Sequence, residues 1–379
     1  MPAEVVESWY MSRRFAQLNG QRLKPQAHAL LNDTPVSVQR GQAEAFFLSA
    51  ESGGSWILKK FHQGRSPDDH YLRSVGSLLP KHEGFVSGTA RSVLSKRDLR
   101  SVPGSYYSVQ FGQWLEGALL MPRIEGVDWA TVADEIRAGG LHLDTDHRLA
   151  LCRSLTSLIE LLEQSRCAHR DLSSGNVFID MQSLEVRLID FDSLYHPSLP
   201  MPDATTCGTE GYTAPFTWRN GLLDASATWR HDADRFTLAL LNVEFLLLQP
   251  SSPLTAEGGM FDQRELCNRA GDGISQVRRK LQIEHPLATP LFEAALQAES
   301  PLRCPSPEDW ARAVGGISAP PLDDLETVSK EHFLDVLLKR TPATPLWPAP
   351  KLSQIPVSVP QLTWTPATAV SLPDNPWTP

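Results

Sequence analysis

The stretch His169-Arg170-Asp171-Leu172-Ser173-Ser174-Gly175-Asn176, followed fourteen residues later by Asp190-Phe191-Asp192, constrains this chain more than any other feature. It sets two carboxylates and an amide at a fixed spacing, with β-branched and aliphatic runs between them. Phosphoryl transfer needs such a set: one carboxylate near an attacking hydroxyl, and oxygen ligands for magnesium on the nucleotide phosphates. Asp171 suits the first role, orienting or deprotonating the hydroxyl, while Asn176 and Asp190 suit the second. A bare His-Arg-Asp tripeptide arises often by chance in a surface loop. Its combination with Asn176 five residues after Asp171, and with Asp190 beyond a short hairpin, makes a solvated turn a poor explanation.

Length and composition bound the rest. A chain of 379 residues with 41% hydrophobic residues can bury a real core and suits two lobes plus appendages. A formal net charge of −9 argues against general nucleic-acid binding, which needs a basic surface. The five cysteines are scattered without a CxxC pair, so neither a disulfide framework nor a zinc site is indicated. Residues Met1 to Glu7 lack the apolar core of a signal peptide, and the run Phe236–Leu248 is too short to span a bilayer. The expected compartment is the cytoplasm, with no membrane contact.

Strand-like patterning runs from Val36 to Phe61, where Ala45–Leu48 and Trp56–Lys59 flank a Glu51-Ser52-Gly53-Gly54-Ser55 turn. A helix is expected over Asp68 to Leu79, started by Ser66-Pro67, and further strands over Tyr106–Gln113 and Gly117–Pro122. The remainder reads as helical. Expected helices cover His147–Ser165, Asp232–Leu248, Ser275–Gln282, Pro290–Ala298 and Pro307–Val314. After Arg340 come ten prolines with Trp347, Trp364 and Trp377 among them and few charges, a composition of extended or disordered chain. Such a tail either floats or docks on its own domain or on a partner.

The catalytic stretch resembles the catalytic and metal-binding loops of eukaryotic-type protein kinases, H-R-D-L-x-x-x-N followed by D-F-G. The resemblance covers roughly residues 38 to 315 and extends to other motifs. Lys59, closing Trp56-Ile57-Leu58-Lys59, resembles the strand lysine that grips nucleotide phosphates. Gly41 and Ala43 stand where the family has the last two glycines of its phosphate loop. Leu119 to Gly126 looks like the hinge between lobes. There Met121 would stand behind the adenine, while Pro122 would offer a carbonyl and Ile124 an amide. Gly208-Thr209-Glu210-Gly211-Tyr212-Thr213-Ala214-Pro215 resembles the end of an activation segment. Asp234 resembles the aspartate that holds the catalytic loop, and Arg303 the arginine near the lobe's end.

The resemblance implies an α+β fold, bilobal and protein-kinase-like, with a small antiparallel sheet lobe and a larger helical lobe. Its expected parts are an extension at 1–36, an N-lobe at 37–122, a C-lobe at 123–316, a helical extension at 317–340 and a proline-rich tail at 341–379. It implies use of ATP and Mg2+, a protein substrate, and transfer to serine or threonine. Asp171 would be the base, and Arg170 would meet a phosphate on the activation segment, which includes Thr205, Thr206 and Thr209. The nearest candidate acceptors are Ser193, Tyr195, Ser198, Thr205 and Thr206. The chain is also similar to bacterial kinases encoded beside a PP2C-type phosphatase and a von Willebrand A-type protein, the tellurite-resistance-associated triad, which would make those two proteins partners.

Four departures from the family pattern matter. Asp192 replaces the glycine of D-F-G, where it would cap the next turn or reach the metal through water. Ser173 and Ser174 stand where serine/threonine kinases carry a lysine. Phe216 replaces the glutamate after Ala-Pro, so Arg303 needs another acceptor or an exposed position. The helix after Lys59 offers no clear glutamate, Asp69 being its nearest acid. The rival expectation is a pseudokinase scaffold that binds nucleotide and recruits partners through its tail.

Overall fold

The computed structural model describes residues 2–28, 34–40, 42–98, 112–202, 208–219, 222–250, 252 and 259–315. All lie in the first of the chain's two compact units, Met1–Ala343. Gly41, Thr205, Thr206, the 317–340 segment and the 341–379 tail lie outside the described residues.

The first part of the chain forms an antiparallel sheet in the order β1-β2-β4-β5-β7-β6, with β3 on the same edge of β4 as β2. Its strands are β1 (Ala16–Leu18), β2 (Gln21–Pro25), β3 (Ser37–Arg40), β4 (Ala43–Ala50), β5 (Ser55–Phe61), β6 (Ser92–Val93) and β7 (Leu119–Pro122). The segment before Val36 thus supplies two strands of the sheet itself. It also supplies α1 (Pro2–Met11), whose Val6 and Trp9 pack in one core with Phe46, Leu48, Leu58 and Leu120. Period-two alternation explains that face. The turn expected at 51–55 is present, with Gly53 and Gly54 both in the left-handed region (φ 90° and 89°), where a Cβ would be strained.

Helix α2 (Asp69–Leu78) starts one residue later than expected. Its cap is Asp68, which accepts the His70 and Tyr71 amides, rather than the Ser66-Pro67 pair. Of the strand expected over 106–113, residues 106–111 lie outside the described residues, and Gly112 and Gln113 open a helical turn.

The larger part is helical. Its elements are α3 (Trp129–Arg137), α4 (Thr145–Gln164), α5 (Arg235–Leu247), α6 (Gln263–Asn268), α7 (Asp272–Glu284), α8 (Thr289–Gln297) and α9 (Pro307–Gly315). A small sheet, ordered β10-β9-β8, sits among them, with β8 at Val127–Asp128, β9 at Val177–Ile179 and β10 at Val186–Leu188. Helix α5 is buried along nearly its whole length and packs against α4 and α8, so it reads as apolar all round. It begins at Arg235, not Asp232, because both aspartates before it bind elsewhere: Asp232 pairs with Arg230, and Asp234 with the backbone of the catalytic loop. No helix among the described residues is long and apolar enough to cross a membrane.

Candidate active site

The β9–β10 hairpin carries the candidate site residues Asn176 and Asp190 at its two ends. Asn176 ends the loop before β9, and Asp190 follows β10. The His169–Asp171 loop is clamped from below by Asp234, whose two carboxylate oxygens accept the His169 amide at 2.6 Å and the Arg170 amide at 2.7 Å. This clamp holds Arg170 in the left-handed region (φ 67°), which a non-glycine residue occupies only when its surroundings fix it. His169 is fully buried. Its Nδ1 accepts the Asp171 amide at 3.3 Å, so Nε2 carries the proton and donates to the Ile189 carbonyl at 2.7 Å. Burial lowers its pKa and keeps it neutral.

Asp171 stands above this base with its carboxyl pushed up to about 7, first by burial and then by the neighbouring Asp190 charge. Thr209 opposes the shift by donating its hydroxyl to Oδ1 at 3.2 Å, and Lys59 and Arg170 also oppose it. A carboxyl titrating near neutral pH suits a general base. Asn176 donates its amide nitrogen to the Asp171 carbonyl at 2.7 Å, which leaves its amide oxygen as the group to meet a cation. Asp190 takes a left-handed backbone (φ 67°, ψ 57°) that turns the chain sharply at the end of the hairpin.

Lys59 reaches these residues across 131 positions of sequence. Its ammonium donates to Asp190 at 2.7 Å and to Asp192 at 2.6 Å. Burial lowers its pKa, but the two carboxylates more than offset that, and the net shift is upward. Strand register places Ala45, Lys59 and Leu119 on one face, with Met121 two residues further along that face. Small Ala43 and Ala45 occupy the β4 side of it. Lys60, on the opposite face, donates instead to the Glu116 carbonyl. Pro122 ends β7, and Ile124 is buried just beyond it.

Asp192 and Asp69 sit differently from expectation. Asp192 neither caps a turn nor stands aside for a metal: Oδ2 binds Lys59, and Oδ1 accepts Arg91 at 2.9 Å. Burial pushes its carboxyl upward, opposed by these two cations. Asp69 is exposed on α2 and faces Arg73 at 3.6 Å. Arg170 is buried, its guanidinium donating to the carbonyls of Thr228, Ser193 and Ala225 and lying 4.6 Å from the Trp229 ring centroid. It ties Ser193 to the Ala225–Thr228 turn. Phe216 packs edge-on against Phe236 of α5, and Arg303 takes the exposed position that was one of its two expected placements.

Sequence reasoning missed Arg91, which lies between a helical turn and β6 with no motif around it. It also missed Glu244, a buried acid of α5 that accepts Trp129, Tyr212 and the Met260 amide. Glu244 anchors Tyr212 at the end of the activation segment. Burial raises its carboxyl to about 7. Only its position inside an apolar run hinted that such a residue needed partners.

Asn176 and Asp190 offer hard oxygen ligands, and among the described residues no cluster of three or more His, Cys, Asp or Glu side chains forms a metal cage. That set fits magnesium, which commonly takes one or two protein oxygens and completes its shell with water and nucleotide phosphates.

No family model matches the chain. Over 173 residues it is 26% identical to the phosphorylase b kinase gamma catalytic chain, liver/testis isoform, of Homo sapiens, with 42% of each chain covered. The Bos taurus protein is 25% identical over the same extent. The chain therefore spans about two fifths of the length of the curated relatives it matches. Solved structures similar to it include the Mycobacterium tuberculosis PknI kinase domain, at 18% identity and a TM-score of 0.45, covering 74% of this chain and 94% of that one. A single-substitution mutant of that domain is 16% identical with a TM-score of 0.46, covering 78% and 94%. The sheet lobe, the helical lobe and the hairpin between them make the fold of this chain protein-kinase-like.

Proposed function

We propose that this chain is an ATP- and magnesium-dependent protein kinase that transfers the γ-phosphate to serine or threonine hydroxyls, its own included, in bacterial signalling. The observation that carries the reading is the convergence of four residues from the two lobes: Lys59 donates to Asp190 at 2.7 Å, Asn176 donates to the Asp171 carbonyl at 2.7 Å, and the charges of Asp190 and Lys59 both act on the Asp171 carboxyl. The partial relatedness to a protein kinase catalytic chain supports the same reading.

In this reading ATP lies against the Lys59 face of the sheet, with the adenine near Met121 and held by the Pro122 carbonyl and the Ile124 amide. Gly41 and Ala43 let the backbone approach the phosphates, which Lys59 grips as a point charge. Asn176 and Asp190 would hold magnesium, which when bound would neutralise charge on the phosphate oxygens. Asp171 receives the proton of the attacking hydroxyl, and its raised pKa makes that transfer favourable near neutral pH. Asp234 and His169 hold the loop so that Asp171 does not move during the reaction. Thr209 is engaged with Asp171, so Thr205 and Thr206 are the better candidates for autophosphorylation within the activation segment. Protein substrates follow from the reaction, and a PP2C-type phosphatase and a von Willebrand A-type adaptor are the proposed partners in the cytoplasm.

Incubation with γ-labelled ATP and magnesium, followed by acid hydrolysis, tests the proposal. Labelled phosphoserine or phosphothreonine is expected with the wild-type protein, and about a hundredfold less or lower still with Asp171→Asn. Bound nucleotide without any transfer by the wild type would overturn it in favour of a nucleotide-binding scaffold.

A further inference from the structure

A lysine that grips phosphates needs a counter-charge which remains when Asp190 engages a cation. Helix α2 does not supply one: Asp69 is exposed toward Arg73, and Glu83 lies exposed beyond the helix. Asp192 does, and it is held from behind. Its Oδ1 accepts Arg91 at 2.9 Å while Oδ2 accepts Lys59 at 2.6 Å, so neither oxygen is left to choose another orientation. The Arg91 side chain is 3% exposed, and its other terminal nitrogen donates to the Leu72 carbonyl of α2 at 3.0 Å. Helix α2 therefore contributes through its backbone and not through an acidic side chain. The Tyr71 hydroxyl adds a second tie, donating to the Leu194 carbonyl just past Asp192 at 2.6 Å.

Resting on the kinase reading, we infer that Arg91 is a positioning residue for nucleotide binding: it fixes Asp192 so that Asp192, and no acid of α2, keeps Lys59 aimed at the phosphates. The cluster balances two cations against two carboxylates, so Lys59, Asp192 and Arg91 stay linked when Asp190 turns to magnesium. Removing Arg91 leaves a buried carboxylate with Lys59 as its remaining cation and frees its rotamer. Lys59 is then drawn away from the phosphate position.

The affinity of the full chain for a fluorescent ATP analogue with magnesium tests this, with the unfolding midpoint recorded for each variant. Arg91→Met and Asp192→Asn should each weaken binding about tenfold or more. The double variant should be no weaker than the worse single one, because Arg91 acts through Asp192. Asp69→Asn should bind like wild type. If Arg91→Met does not fold, Arg91→Gln carries the same expectation. Wild-type affinity in Arg91→Met or Arg91→Gln, losses that multiply in the double variant, or a comparable loss in Asp69→Asn would each overturn the inference. Affinities that shift as stated without any phosphate transfer by the wild type would sink the kinase reading and leave Arg91 its role. Transfer with unmoved affinities would sink this inference alone.

Discussion

The His169–Asp171 loop and the Lys59 ammonium are both held by carboxylates, yet in different ways. Asp234 fixes the catalytic loop through two backbone amides, so the side chains of His169, Arg170 and Asp171 leave that clamp unchanged. Lys59 is held by side chains alone, Asp190 and Asp192, with Arg91 behind the second. A backbone clamp keeps its geometry while side chains vary around it. A side-chain clamp can be rebuilt from different residues as long as charge and reach are preserved. The first region accordingly follows its motif, and the second has a new set of partners.

The sharpest way to break this contrast is to remove the cation that both regions are proposed to share. Chelation of magnesium should reduce phosphate transfer to background, and restored magnesium should return it, in an assay with labelled ATP. The Asp234→Ala variant attacks the backbone clamp directly. It leaves two buried amides without an acceptor, and denaturant unfolding should register a loss of about 2 to 6 kcal/mol. A loss below about 1 kcal/mol would mean that the loop is held by something else.

The pH dependence probes Asp171 within its clamp. Its carboxyl is raised to about 7, so it is protonated and unable to accept a proton below that pH. The ratio kcat/KM should therefore fall about tenfold per unit as pH drops below 7 and level off above it. Residual activity of Asp171→Asn should lack that limb. Smaller effects are expected at the lobe's far side. Phe216→Glu restores the residue of the family pattern but places a charge against Phe236, and should cost about 1 to 2 kcal/mol in thermal unfolding. Arg303→Ala, at an exposed position, should change stability by less than about 0.5 kcal/mol.

The same contrast explains what was legible in the sequence. The His169–Asn176 loop and Asp190 are separated by one hairpin, so their spacing along the chain nearly is their spacing in space. The bodies of helices α4, α5, α8 and α9 were equally readable, because an apolar stripe, an apolar run or a first-turn proline is a local property. The Lys59–Asp192–Arg91 cluster joins three segments more than thirty residues apart along the chain, and no local pattern marks such a meeting. Asp192 was visible as a departure, but its role depended on where Arg91 falls. The two strands before Val36 were missed for a related reason: β1 has three residues and β2 five, and both acquire their pattern from pairing.

The central claim is that the clamped carboxylate of Asp171 accepts the hydroxyl proton during phosphate transfer, and single-turnover transfer from enzyme-bound, γ-labelled ATP tests it most directly. Wild type and Asp171→Asn should bind the nucleotide with affinities within about threefold, since Asp171 does not grip phosphates. Transfer should slow by about a hundredfold to ten-thousandfold in the variant. Equal transfer rates at equal occupancy would contradict the account.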